Sequence, residues 1–125
     1  MGRWRAMSSE EEPVAWLREV ITEDGRKAAK RLRRASSDAF RWQVVEKLAR
    51  AKAELAILDL YERTLAIVRA PVDLKALAAE KPVIRELRAR DYLDAERELC
   101  VLWEAVCLLA GGYKYRPVFP ADFAA

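Results

Sequence analysis

The chain has 125 residues, 53 % of them hydrophobic and 34 % charged, with a net charge of +3. That length suits one domain with its own core, and the composition excludes disorder. No apolar run approaches the roughly 18 residues of a membrane span, no apolar signal-peptide core opens the chain, and position 6 is Ala where myristoylation requires Ser or Thr, so a cytoplasmic setting without membrane contact is expected.

Residues 1–8 read as an arm or tag-like extension, with Trp4 between two arginines and Met7 as an alternative start. Ser9-Glu10-Glu11-Glu12 has the form of a capping box, and Pro13 falls in the first turn, where no helical N–H is lost. Val14, Leu17, Ile21, Ala28 and Leu32 then make one stripe of a first helix, flanked by Trp16 and Val20. Asp24-Gly25 is its weak point, where a kink is plausible. Ser36-Ser37-Asp38 supplies a short turn and a cap, which makes the first two helices antiparallel neighbours.

Residues 41–68 contain neither Gly nor Pro, and Val44, Leu48, Ala51, Leu55, Leu58, Leu65 and Val68 recur at three- and four-residue steps. That spacing predicts a helix roughly 40 Å long, around which the other helices are organised. Pro71 stops it and Asp73 caps a short helical turn over residues 74–80. Pro82 suits a further helix start. Either one helix runs over residues 82–110 or Asp91 caps a second. Ala95, Leu99, Leu102, Val106 and Leu109 hold a near-heptad spacing beside Trp103. Gly111-Gly112 reads as a left-handed helix stop. The aromatic, proline-containing residues 111–125 read as a non-helical tail folded back on the bundle. The expected fold is all-α: an up-down-up bundle of three main helices over residues 9–110, with a short helix in the 74–90 region and an irregular aromatic tail.

The chemistry available is limited. The chain has no His, which removes Ser-His-Asp and Cys-His nucleophile systems, and a zinc site built on the two thiols is not expected. Cys100 and Cys107 are two helical turns apart, roughly 10 Å, too far for a bridge, and read as small packing residues. Glu46, Glu54, Asp59 and Glu62 lie mainly off the apolar stripe and read as surface charge. Gly111-Gly112 is followed by no helix and makes no phosphate loop. No catalytic, cofactor-binding or metal-binding residue is expected, and the chain reads as non-enzymatic.

Three stretches, PVAWLREVITEDG (residues 13–25), RWQVVEKLARAKAELAILDLYE (residues 41–62) and LLAGGYKYRPVF (residues 108–119), together resemble a family of small, uncharacterised helical proteins of actinobacteria and their phages. Gly25 stands where that family tends to have Glu, and the tail lacks the His the family often shows after its Tyr. The resemblance implies a helical fold and such an origin, and carries no catalytic residue across.

Two features point to function. Arg26, Lys27, Lys30, Arg31, Arg33 and Arg34 give a local charge of +6 without an acid, and Arg41 follows nearby. The block either complements the macrodipole at the C-terminal end of the first helix as a solvated face, or contacts a polyanion such as nucleic acid. No recognition motif accompanies it. Second, Phe40, Trp42, Val45, Ile57, Leu60 and Ile67 widen the apolar surface of the central helix beyond its core stripe. Either a helix sandwiched between two neighbours explains them, or they form an exposed patch for a second copy or a partner helix. The reading that follows is a protein-interaction module acting on an unidentified partner or on itself. A nucleic-acid-associated protein using residues 26–34 is the alternative.

Overall fold

The computed structural model describes residues 11–34 and 37–123. The arm, the Ser9 capping box and Ser36 lie outside the described residues. Four helices, α1 (Glu11–Arg34), α2 (Asp38–Arg69), α3 (Leu74–Ala79) and α4 (Pro82–Ala110), make an all-α bundle without a strand among the described residues. α1 and α4 each pack along α2. Arg18 of α1 reaches Asp59 and Glu62, and Gly25 lies beside Ala51, so α1 and α2 run antiparallel. Tyr61 meets Trp103, and Glu54 meets Tyr113 just beyond α4, so α4 is antiparallel to α2 as well.

The local signals explain most boundaries. The Ser37 hydroxyl accepts from the Phe40 N–H at the start of α2, and the Asp73 carboxylate accepts from the Lys75 and Ala76 N–H groups at the start of α3. Pro82 opens α4, which runs unbroken through Asp91. Gly25 does not kink α1, because the helix continues on both sides and Ala51 packs against that turn.

The core contains Val14, Leu17 and Ile21 of α1, Leu58, Tyr61 and Leu65 of α2, Val106 and Ala110 of α4, and Phe123 of the tail. Each large apolar side chain that is fully buried here contributes about 1.5–3 kcal/mol of transfer free energy. Tyr61 and Thr64 are buried although they lie off the expected α2 stripe. They face the second neighbour, α4, whereas Val44, Leu48, Ala51, Leu55 and Leu58 form the side toward α1.

The tail differs from a simple non-helical segment. Gly111 has φ −56° and ψ −28°, so it is no left-handed stop. Its N–H donates to the Cys107 and Leu109 carbonyls, and the chain tightens into a 3₁₀ turn over Gly111–Tyr113. A second 3₁₀ turn covers Ala121–Phe123. Between them the chain folds back, with Val118 at φ 62°, a conformation a β-branched residue adopts only under strain. The result is a run of ring contacts from Trp16 to Phe119 (5.5 Å), Phe119 to Phe123 (5.9 Å), Phe123 to Trp103 (5.7 Å) and Trp103 to Tyr61 (5.6 Å). Aromatic side chains of the tail thereby link α1 to α4 and α2, two outer helices that share few contacts of their own being joined through them.

The bundle is staggered along its length. Because Trp103 lies level with Tyr61, the last residue of α2, Arg69, falls opposite Ala95, eight residues along each helix. Residues 82–94 of α4 therefore project beyond α2 by about 20 Å, and every one of them is exposed. At the other end, α4 stops level with Glu54, so the N-terminal half of α2 extends beyond the end of α4.

Candidate interaction face and basic block

The helical repeat places Trp42, Val45, Ala49, Ala53, Ala56, Leu60 and Ile67 on one side of α2, within an arc of about 80°. All seven are exposed, with Trp42 at 70 % and Ile67 at 59 % of full accessibility. This side faces neither α1 nor α4. An apolar stripe at three- and four-residue steps on the solvent side of a helix is the pattern of a helix-docking seam.

Four of the six residues expected to form an interface, Trp42, Val45, Leu60 and Ile67, therefore share this stripe. The other two do not. Ile57 is half-buried and packs against the core on the α4 side, so it is a core-edge residue. Phe40 is exposed, but its position on the helix falls on the α1 side, away from Trp42. Ala49, Ala53 and Ala56 complete the stripe. They escape a search for large apolar residues, and only their phase with Trp42 and Leu60 marks them.

Ile67 also lines a groove of about 820 Å³ between the end of α2, α3 and the projecting part of α4, with Val72, Leu77, Ala89, Tyr92 and Leu93 among its walls. Tyr92 has its hydroxyl pKa raised by a hydrogen bond to Glu96. Arg88 holds Glu80 at 2.7 Å across the base of the overhang. The stripe and the groove are continuous at Ile67.

Arg26, Lys27, Lys30, Arg31, Arg33 and Arg34 are all exposed; Arg26, Lys30 and Arg33 lie on the side of α1 opposite its buried Leu17, Ile21 and Ala28, and Lys27, Arg34 and Arg31 fan from there toward the edge of that buried stripe. Glu23 bonds Arg26 at 3.0 Å. Arg41, also exposed, lies one turn into α2, so the seven cations share the end of the bundle formed by the α1–α2 connection. Arg31, Arg33 and Arg34 stand in the last turn of α1, where they complement its dipole.

A smaller cleft of about 440 Å³ lies where α1, α2 and the end of α4 meet, lined by Asp24, Lys47, Arg50, Glu54 and Tyr113. The Tyr113 hydroxyl donates to Glu54 at 2.8 Å, and Arg116 binds Asp24. Burial, then the neighbouring Glu54 and Asp24 charges, push the Tyr113 hydroxyl well above its ordinary pKa. These pairs tie the first 3₁₀ turn to α1 and α2. Cys107 is half-buried, and burial followed by the charge of Glu104 raises its pKa. Cys100 is exposed and does not pack as the spacing suggested. Among the described residues no group of three or more acids and thiols is placed to hold a metal ion, and no helix is long and apolar enough to cross a membrane.

No family model, curated protein or solved structure matches the chain.

Proposed function

We propose that the protein is a non-enzymatic helical interaction module that docks an amphipathic helix, from a partner protein or from another copy of itself, on the outer side of α2. The observation that supports this reading is the exposed stripe from Trp42 to Ile67, opposite a core that α1, α4 and the tail already complete. A stripe of this length exceeds the scattered apolar residues normal on a monomer surface. Its small centre, Ala49, Ala53 and Ala56, permits close approach of a second backbone, and its large ends supply anchors.

The test is a photo-crosslinking side chain at Ala53 in the full chain, expressed in the cells the protein comes from. Adducts at Ala53 that disappear when Leu60→Arg is added support the reading. Absence of any adduct, or adducts indifferent to Leu60→Arg, refutes it. Circular dichroism of the variant checks that the bundle is intact.

A second reading rests on the exposure of all seven cations at one end. On this reading the block contacts nucleic-acid phosphates without reading sequence. Affinity then falls steeply with salt and drops when Arg31, Arg33 and Arg34 become Ala. Binding that is absent or insensitive to salt removes it.

A further inference from the structure

We infer that the occupant of the α2 stripe is a second copy of this chain, paired antiparallel across a two-fold axis near Glu54-Leu55. The inference rests on the interaction reading above and goes beyond it in naming the partner and its register.

Six of the seven stripe residues pair off with one another in this register, and Val45 falls opposite the partner's Thr64. An axis between residues 54 and 55 sets Trp42 against the partner's Ile67, Ala49 against the partner's Leu60, and Ala53 against the partner's Ala56. Large side chains thus meet small ones beside the axis, and the helices approach closely where the alanines face each other. A parallel pairing stacks Leu60 on Leu60 and Trp42 on Trp42, and leaves the alanines spaced apart between bulky ends. The antiparallel register also brings Trp42, the most exposed of the large stripe residues, to the mouth of the apolar groove beside Ile67. One arrangement therefore covers both exposed apolar features.

Charge agrees with the same register. Lys52 and Asp59 are exposed on one flank of the stripe, and their numbers sum to within two residues of the value the axis requires. Each Lys52 then reaches the partner's Asp59, and the symmetry makes the pair twice. Asp59 already accepts from Arg18 at 2.8 Å, and its carboxylate retains lone pairs for a second cation. In a parallel pair the two-fold along the helices puts the flanks carrying Lys52 and the partner's Asp59 on opposite sides of the seam, and the pair is lost.

Paired over residues 42–67, the helices run together for roughly 38 Å along a strip about 12 Å across. The area buried is on the order of 1,000 Å² in all, at the lower edge of specific interfaces and in the size class of weak, transient pairs.

The experiment uses the full chain with Cys100→Ser and Cys107→Ser, and introduces Ala53→Cys and Ala56→Cys in separate preparations. Mixed in equal amounts and oxidised gently at tens of micromolar, they are expected to form predominantly the 53–56 bridge. Peptide mapping that finds mainly 53–53 and 56–56 bridges, or no bridge, overturns the inference. In the unmodified chain Lys52→Asp is expected to weaken the dimer about fivefold, read by sedimentation equilibrium, and adding Asp59→Lys to restore most of the loss. An unchanged constant for Lys52→Asp contradicts the register. A strictly monomeric chain overturns the inference while leaving the interaction reading to the Ala53 adducts: adducts that carry another protein sustain that reading.

Discussion

Phe123→Ala tests whether the tail belongs to the fold. Phe123 is 8 % exposed, although it stands close to the end of the sequence, and its ring touches Trp103 and Phe119 at centroid distances of 5.7 and 5.9 Å. Removing a buried Phe side chain costs about 3–5 kcal/mol when the cavity cannot collapse. Here the tail can partly relax, because Phe123 stands on a 3₁₀ turn of only three residues. We therefore expect a loss of about 2–3 kcal/mol, part of it from the two lost ring pairs, as each aromatic pair contributes about 0.5–1.5 kcal/mol beyond area. The measurement is urea unfolding followed in parallel by far-ultraviolet circular dichroism and tryptophan fluorescence, with coincident transitions required. A loss below about 0.5 kcal/mol, the range of an ordinary surface change, would show that the tail is an appendage and that α1, α2 and α4 complete the core without it.

Three further outcomes follow from particular positions. Tyr113 holds its proton more tightly folded than unfolded, so the stability it contributes is complete below its unfolded pKa of about 10 and is lost as pH rises above that value toward its higher folded one; Tyr113→Phe should therefore flatten the alkaline decline in stability, measured by denaturant titrations across that range. Gly25→Ala should stabilise the fold by about 0.5–1 kcal/mol, because a Cβ there lies 3.7 Å from that of Ala51, an ordinary contact, while the helix gains Ala propensity; a destabilised variant in the same urea assay would show that α1 and α2 tolerate no added atom at this crossing. Val118→Gly should also stabilise, by about 1 kcal/mol, since it relieves a positive φ at an exposed residue; thermal unfolding reads this as a rise of a few degrees.

The bundle was legible in the sequence because helix stripes and stop signals act locally. Val14, Leu17, Ile21 and Ala28 point inward as their spacing requires, and Asp73 and Pro82 start helices by chemistry contained within a few residues. What was not legible depends on how far one helix slides along another. The stagger of α4 buries Tyr61 and Thr64, draws Ile57 to the core edge and leaves residues 82–94 uncovered, and no periodicity within one helix encodes that offset. The glycines after α4 misled for a related reason: Gly permits a left-handed turn without imposing one, and here the pull of Phe119 and Phe123 toward Trp16 and Trp103 is served by a right-handed 3₁₀ turn. The candidate face was half legible. Its large residues were visible as a surplus of apolar surface, but its alanines gained meaning only when α1 and α4 were both seen to pack elsewhere on α2.

Self-association through that outer face of α2 is decided by sedimentation equilibrium of the unmodified chain beside Leu60→Arg. The expected result is a mass that climbs from one copy toward two across about 1–200 μM for the unmodified chain, and a single-copy mass throughout for Leu60→Arg, with identical circular dichroism. Equal masses for the two proteins at every concentration would contradict it.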